Sequence, residues 1–336
     1  MPELRQNIVT RDWVIIAKER AQRPEDFVRE KKRVAPTPQY DPGCPFCPGN
    51  EHLTIKELYR LTDHTGWKTR VVLNKFPALS LEGDRVRRID GIHRSMTGVG
   101  SHEVIIENPR HDLSPALYTP QEMSDVIDTY RRRYADLRKD HRIEAVIIFK
   151  NHGPDAGTSL LHPHSQVAAM PIVPTQIRSR IEEGIRHFDE MGECVYCRTL
   201  RQELRDRQRI VFETEHFVAF VPYAALSPFH LWIYPRRHSS SFDDIYDSEI
   251  DDLAENMTTV FAKLYHGLNN PDYNYSIRSI PAHDGSREYF HWYVAIIPRI
   301  TKAAGFEIGS GMYINQTVPE ESAAYLRKVE IPPVTR

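Results

Sequence analysis

One pattern runs through this chain twice. Cys44 and Cys47 form a Cys-x-x-Cys knuckle followed at long range by His111 and His162; Cys194 and Cys197 form a second, followed by His238 and His291. An internal repeat outranks local propensity in setting an architecture, because each copy has to build the same unit. Two thiolates and two imidazoles suit a closed, tetrahedral zinc site. Iron shares such ligands and is the alternative at the second site. The separations are far longer than those of a zinc finger, so each metal would staple a sheet to the arm that precedes it.

The strands and helices recur in the same order as the metal ligands. Residues 71–79 read as a strand running into a turn, 102–107 as a second strand, 119–139 as a helix and 144–149 as a third strand. The second copy repeats this with 217–226, 229–238, 248–268 and 273–277, and 290–298 echoes 161–171. A further helix over 175–191 lies between the copies. The fold class is therefore α+β: a duplicated unit giving two antiparallel sheets, each with a long helix. The expected halves are residues 1–190, carrying the first metal site, and 191–336, carrying the second. Ahead of them, residues 7–17 read as two strand fragments joined at a turn, and 25–43, rich in charge and proline, as an extended arm.

Composition narrows the partners. A net charge of −2 in 336 residues gives no general reason to bind nucleic acid. No apolar run approaches the roughly 18 residues that span a bilayer, and Met1-Pro2-Glu3-Leu4-Arg5 lacks the apolar core of a signal peptide. The expected compartment is the cytoplasm, where cysteines stay reduced and serve metals rather than disulfides.

The chemistry gathers at His162-Pro163-His164-Ser165-Gln166, which follows a loop containing Gly153, Gly157 and Ser159 and precedes the apolar Val167-Ala168-Ala169-Met170. Residues two apart on a strand share a face. With His162 held by metal, alternation aims His164 at a neighbouring pocket. The repeat supplies a control: two residues after His291 stands Tyr293, so the second copy keeps a ligand and lacks a nucleophile. A neutral imidazole can attack a nucleotide's α-phosphorus and split one displacement into two. Gln166 would hold a non-bridging oxygen, and Ser159 with the loop amides would take up developing charge. No acidic cluster for magnesium stands out. Arg20 and Arg23 read as solvated cations, and the other histidines, His102 among them, have no telling spacing.

These residues make the chain similar to the galactose-1-phosphate uridylyltransferase family, within the histidine-triad superfamily. The resemblance rests on Cys44-Pro45-Phe46-Cys47, Asn74-Lys75-Phe76-Pro77-Ala78-Leu79, Asn151 with Gly153, Ser159 and the His162–Gln166 run, and spans nearly the whole chain. It implies ping-pong nucleotidyl transfer with His164 covalently nucleotidylated, and Gln166 and Ser159 on the phosphates. It places Asn74 and Phe76 near the nucleoside, makes Asn151, Arg20 and Arg23 site residues, and implies a homodimer. The substrates would be a nucleoside diphosphate sugar and a sugar 1-phosphate, or phosphate. Ser165 stands where the better-known uridylyltransferases carry Gly, and those lack a second Cys-x-x-Cys. Phe306 replaces a hexose-phosphate Tyr, and no Gln follows it. The second knuckle and the run Gly305-Phe306-Glu307-Ile308-Gly309-Ser310-Gly311 are more similar to a branch that includes plant ADP-glucose phosphorylase.

Three readings compete. The first is uridylyl transfer from UDP-glucose to galactose 1-phosphate. The second keeps the intermediate but uses an adenylyl group and inorganic phosphate. The third is a zinc-stapled binding module without catalysis, whose weakness is the absence of a basic stripe interleaved with aromatics. A histidine-triad hydrolase is disfavoured by the two-lobed size.

Overall fold

The computed structural model describes residues 1–17, 24–27, 37–284 and 287–333. Arg20 and Arg23 lie outside the described residues, as do residues 28–36 of the expected arm over 25–43. The chain opens with strands β1 (Glu3–Gln6) and β2 (Trp13–Ile16). The first half continues with β3 (Glu57–Asp63), β4 (Gly66–Leu73), a small hairpin of β5 (Arg87–Asp90) and β6 (His93–Met96), and β7 (Ser101–Ile106). It closes with helix α1 (Pro120–Leu137), β8 (Ala145–His152) and β9 (His164–Met170). Helices α2 (Thr175–Met191) and α3 (Val195–Asp206) lead to the second half. That half contains β10 (Ile210–Glu213), β11 (Phe217–Phe220), β12 (Leu231–Pro235), α4 (Asp247–Gly267), β13 (Tyr273–Arg278) and β14 (Tyr293–Pro298). The described chain ends with α5 (Gly305–Ser310), β15 (Tyr313–Asn315) and α6 (Pro319–Lys328).

The repeat is realised in the strand order. The first half pairs as β3-β4-β7-β9-β8 and the second as β10-β11-β12-β14-β13, so the two antiparallel sheets have the same topology. They join edge to edge where β8 and β13 pair, with Lys150 opposite Tyr275 and Asn151 opposite Asn274, giving one ten-stranded sheet. Joining them this way covers two edges that would otherwise present unpaired backbone groups. A separate sheet of β1, β2 and β15 brings the C-terminal segment back to the N-terminal hairpin.

The long helices share one face of the large sheet. Thr119 caps α1 in a capping box with Glu122, and Pro120 occupies the first turn, where its missing N–H costs nothing. Ser124 of α1 donates to Asp251 of α4 at 2.8 Å and Arg131 of α1 to Asp247 at 2.7 Å, so the helices lie side by side. Beneath them runs the main apolar core, including Val126, Tyr130, Val146, Ile148, Val167, Leu253, Val260 and Ile277. Strand alternation sends the intervening residues to the opposite face. There the first half gathers Cys44, Phe46, Cys47, Val104 and Ile106. The second half gathers Tyr196, Trp232, Tyr234, Tyr293 and Ala295. The two knuckles differ in form: Cys44 to Cys47 is an irregular turn, whereas Cys194 caps α3 and Cys197 sits in its first turn.

Candidate active site and metal centres

Each Cys-x-x-Cys meets its two histidines. The ligand atoms of Cys44, Cys47, His111 and His162 lie within 4.8 Å of one another, as do those of Cys194, Cys197, His238 and His291. In the first cluster His162 Nε2–H donates to the Asn108 carbonyl at 2.8 Å. Its bare Nδ1 therefore faces Cys47 Sγ at 3.6 Å, and His111 Nδ1 lies 3.5 Å from the same sulfur. In the second, Cys197 Sγ is 3.2 Å from His238 Nδ1 and 3.4 Å from His291 Nδ1, and His238 Nε2–H donates to the Arg287 carbonyl at 3.1 Å. A ring nitrogen tied to a carbonyl with the other turned to the cluster is how ligating histidines are oriented. Both groups thus fit a four-coordinate ion. Burial pushes the Cys44 thiol up to about 11, so it becomes a thiolate at neutral pH only beside a cation.

Strand β9 carries the next step. His164 Nδ1–H donates to the His162 carbonyl at 2.8 Å, which leaves the Nε2 lone pair free on the cleft side. Burial, then the buried charge of Lys150, pushes the imidazole below its ordinary range, so it is neutral near pH 7. Phe46 packs against it with ring centroids 5.4 Å apart. His164, Gln166, Ser159, Asn74, Phe76 and Phe46 line one cleft of about 340 Å³. Asn151 and Gly157 stand outside that lining. The Asn151 side chain is engaged across the sheet junction, accepting from Asn274 at 2.8 Å. Gly157, at φ +88°, closes a short turn in which its N–H donates to Pro154 O at 3.0 Å.

Two groups that sequence spacing passed over complete the site. His102 Nδ1 accepts the Ala78 N–H at 3.1 Å, so the proton is on Nε2 and is donated to Gln166 Oε1 at 2.8 Å. Asn74, whose own Oδ1 accepts the Phe76 N–H at 2.9 Å, adds a second donor to Gln166 Oε1 at 3.4 Å. With its oxygen held from behind, Gln166 presents its NH₂ outward. On the far side of β9, fully buried Lys150 donates to the His164 carbonyl at 2.9 Å and to Glu107 at 2.7 Å. Glu107 also accepts from Tyr118 and Tyr130, each at 2.9 Å, and from Ser165. Burial opposes the Glu107 charge, but Lys150 and these hydroxyls outweigh it and hold the carboxylate below its usual range. The signal for this network was Lys150 inside an otherwise apolar strand, readable only once its partners were known.

In the second half Tyr293 occupies the place of His164. It is buried, with the rings of Trp232 and Tyr234 each 5.2 Å away. The duplicated scaffold thus carries one imidazole able to act as a nucleophile and one filled counterpart.

A neutral imidazole with its Nε2 open to a cleft of about 340 Å³, on a strand that begins beside a Cys₂His₂ cluster, suits histidine-dependent nucleotidyl transfer. The comparisons agree: the model of the galactose-1-phosphate uridyl transferase N-terminal domain matches residues 1–174, and that of the C-terminal domain matches residues 177–332. The chain belongs to this family. It is 37% identical to the ADP-glucose phosphorylase of Arabidopsis thaliana, covering 98% of this chain and 93% of that one. It is 29% identical to the galactose-1-phosphate uridylyltransferase of Thermotoga maritima, covering 98% and 99%. The crystal structure of an Arabidopsis thaliana ADP-glucose phosphorylase with bound ADP-glucose superposes with a TM-score of 0.85 at 34% identity, covering 99% of this chain and 100% of that one. Among the described residues, no helix is long and apolar enough to cross a membrane.

Proposed function

We propose that this protein transfers the nucleoside monophosphate of a nucleoside diphosphate sugar through His164, in two displacements. The observation that carries the reading is His164 itself: buried, neutral, its Nδ1–H given to the His162 carbonyl and its Nε2 open to the cleft. In the first displacement Nε2 attacks the α-phosphorus and the P–O bond to the sugar phosphate breaks, releasing the sugar 1-phosphate. The His162 carbonyl stabilises the imidazolium as it forms. The Gln166 NH₂ and Ser159 Oγ hold non-bridging oxygens, which favours charge that builds in the transition state. In the second, a phosphate oxygen of the acceptor attacks the same phosphorus and frees His164. Asn74 and Phe76, which is 81% exposed at the rim, receive the nucleoside. Cys44, Cys47, His111 and His162, and in the second half Cys194, Cys197, His238 and His291, would hold zinc, with iron as the alternative at the second cluster. Such an ion would fix the starts of β9 and β14 to the segments that precede each sheet. The working assembly is a homodimer.

Uridylyl transfer from UDP-glucose to galactose 1-phosphate is supported by the family and by relatives bearing that name. Adenylyl transfer to inorganic phosphate is a second reading. It is favoured by the 37% identity to an ADP-glucose phosphorylase and by Phe306 in the exposed helix α5, which stands in place of the hexose-phosphate Tyr of the better-known uridylyltransferases. Intact-mass spectrometry after mixing with UDP-glucose or ADP-glucose alone separates them. A uridylyl adduct supports the first reading and an adenylyl adduct the second. Either adduct is expected to vanish in His164→Gly, and an adduct that persists there moves the nucleophile elsewhere.

A further inference from the structure

The second half carries no nucleophile, yet it holds the loop that carries Ser159. Strands β8 and β13 pair with Asn151 opposite Asn274. From β13, Asn274 Nδ2 donates to Asn151 Oδ1 at 2.8 Å and to the Ala156 carbonyl at 2.9 Å. A carbonyl can only accept, so the Ala156 contact fixes which end of the Asn274 amide faces the loop. Asp272, two residues earlier, accepts the Asp155 N–H at 2.6 Å. The Asp272 carbonyl takes the Arg299 N–H at 2.7 Å, which ties it to the hairpin of β13 and β14. Asn270 accepts from His152 Nε2–H at 2.9 Å, and the His152 ring stacks on Tyr273 with centroids 4.6 Å apart.

The loop is shaped for this hold. Gly153 has φ +85°, and a Cβ there would come within 2.1 Å of the Asp272 carboxylate, so only glycine lets the two segments approach. Pro154, Asp155 and Ala156 form one helical turn after it. Within that turn the Ala156 and Thr158 N–H groups donate to the Gly153 carbonyl at 3.1 and 3.3 Å. The turn is therefore one piece, anchored to the second half at Asp155 and Ala156. An exposed ion pair of Lys302 with Asp155 at 3.2 Å adds little to this. Ala156 and His162 each stand three residues from Ser159. His162 is fixed on its side by the bond to the Asn108 carbonyl at 2.8 Å, and Leu160 packs on the apolar residues beside Cys44 and Cys47. Ser159, which lines the cleft, is thus hung between an anchor in each half.

We propose that Asn274 is a positioning residue for nucleotidyl transfer, supported by Asp272: through the Asp155–Ala156 turn the pair sets where Ser159 Oγ stands in the cleft. The proposal rests on the transfer reading above, in which Ser159 holds a non-bridging oxygen. Small displacements of such a donor slow a reaction steeply, because it acts only where charge develops. The duplicated half thereby takes part in the reaction although its own site is filled.

The test measures single-turnover nucleotidylation of the metal-loaded full chain by intact mass, with UDP-glucose and with ADP-glucose. Asn274→Asp removes both donors and sets a carboxylate against the Ala156 carbonyl, while Asn151 can turn its amide over and keep the strand junction. We expect about tenfold slower nucleotidylation at saturating sugar nucleotide, with the half-saturating concentration changed by less than about twofold. In a Ser159→Ala background the same substitution should change the rate by less than about twofold, since the two residues act as one unit. Equal slowing in both backgrounds overturns the proposal, as does an unchanged rate in the first. Asp272→Ala removes the other anchor and no backbone bond of the β8–β13 pairing, and it repeats the cycle should Asn274→Asp fail to fold. Asp272→Asn keeps the acceptor and should retain most of the rate. Amide exchange over residues 155–159 should be about tenfold faster in Asn274→Asp than in wild type. Unchanged exchange overturns the proposal and leaves the transfer reading standing, whereas a wild type that takes up neither nucleotide overturns both.

Discussion

His102 holds Gln166 from behind: its Nε2–H donates to Gln166 Oε1 at 2.8 Å while its Nδ1 receives the Ala78 N–H at 3.1 Å. The amide is thereby turned so that its donor end faces the cleft. The two contacts separate by substitution. Gln can reproduce the Nε2 donor and loses the Nδ1 acceptor; Asn can reproduce the acceptor and loses the donor. We expect His102→Asn to slow nucleotidylation about tenfold, the effect of one lost hydrogen bond of ~1.4 kcal/mol, and His102→Gln to retain most of the rate. Single-turnover mass spectrometry reads both. A larger loss in His102→Gln than in His102→Asn would mean that His102 serves the loop after Asn74 and not the amide.

The Glu107–Lys150 pair predicts a stability defect. Lys150→Met strands a fully buried carboxylate, at a cost of about 3–5 kcal/mol. Adding Glu107→Gln removes the stranded charge and should return about 1–3 kcal/mol of that loss. Urea unfolding of the two single variants and the double variant checks this. Losses that simply add would show that the two residues are not energetically coupled.

The two metal clusters should be separable. Cys44→Ser is expected to lose one metal equivalent and to impair nucleotidylation, because His162 and its carbonyl orient His164. Cys194→Ser should lose the other equivalent and leave the His164 cleft intact. Elemental analysis alongside the adduct assay reads both, and unchanged metal content in either variant would remove that cluster from the assignment.

His230 predicts a pH dependence of stability. Its folded pKa is about 3, below the ~6.5 of an unfolded histidine, so between these values the unfolded chain binds more protons. The neutral ring's contribution is fully present above pH 6.5 and is lost as pH falls toward 3. It should weaken stability by roughly 2 kcal/mol between pH 7 and pH 5. His230→Phe should flatten that part of the profile, measured by denaturant unfolding in phosphate-free buffer. An unchanged slope would place the titration on another group.

Cysteine and histidine order in the sequence was enough to determine the duplicated architecture and both Cys₂His₂ clusters, and to single out His164 as the candidate nucleophile. A repeat forces equivalent residues to equivalent places, and strand alternation then separates His162 from His164 by role. The alternation also placed Tyr293 in the filled site. Local sequence could not disclose the partners of His102 and Lys150, because each meets residues distant in the chain across strands whose register is set by the whole sheet. His102 reaches Gln166 through the pairing of β7 with β9, and Lys150 reaches Glu107 beneath α1. Asn151 was drawn away from the cleft by the pairing of β8 with β13. That junction is a tertiary decision: two edges satisfied each other's backbone groups, and the choice fixed which side chains face a pocket and which face the other half.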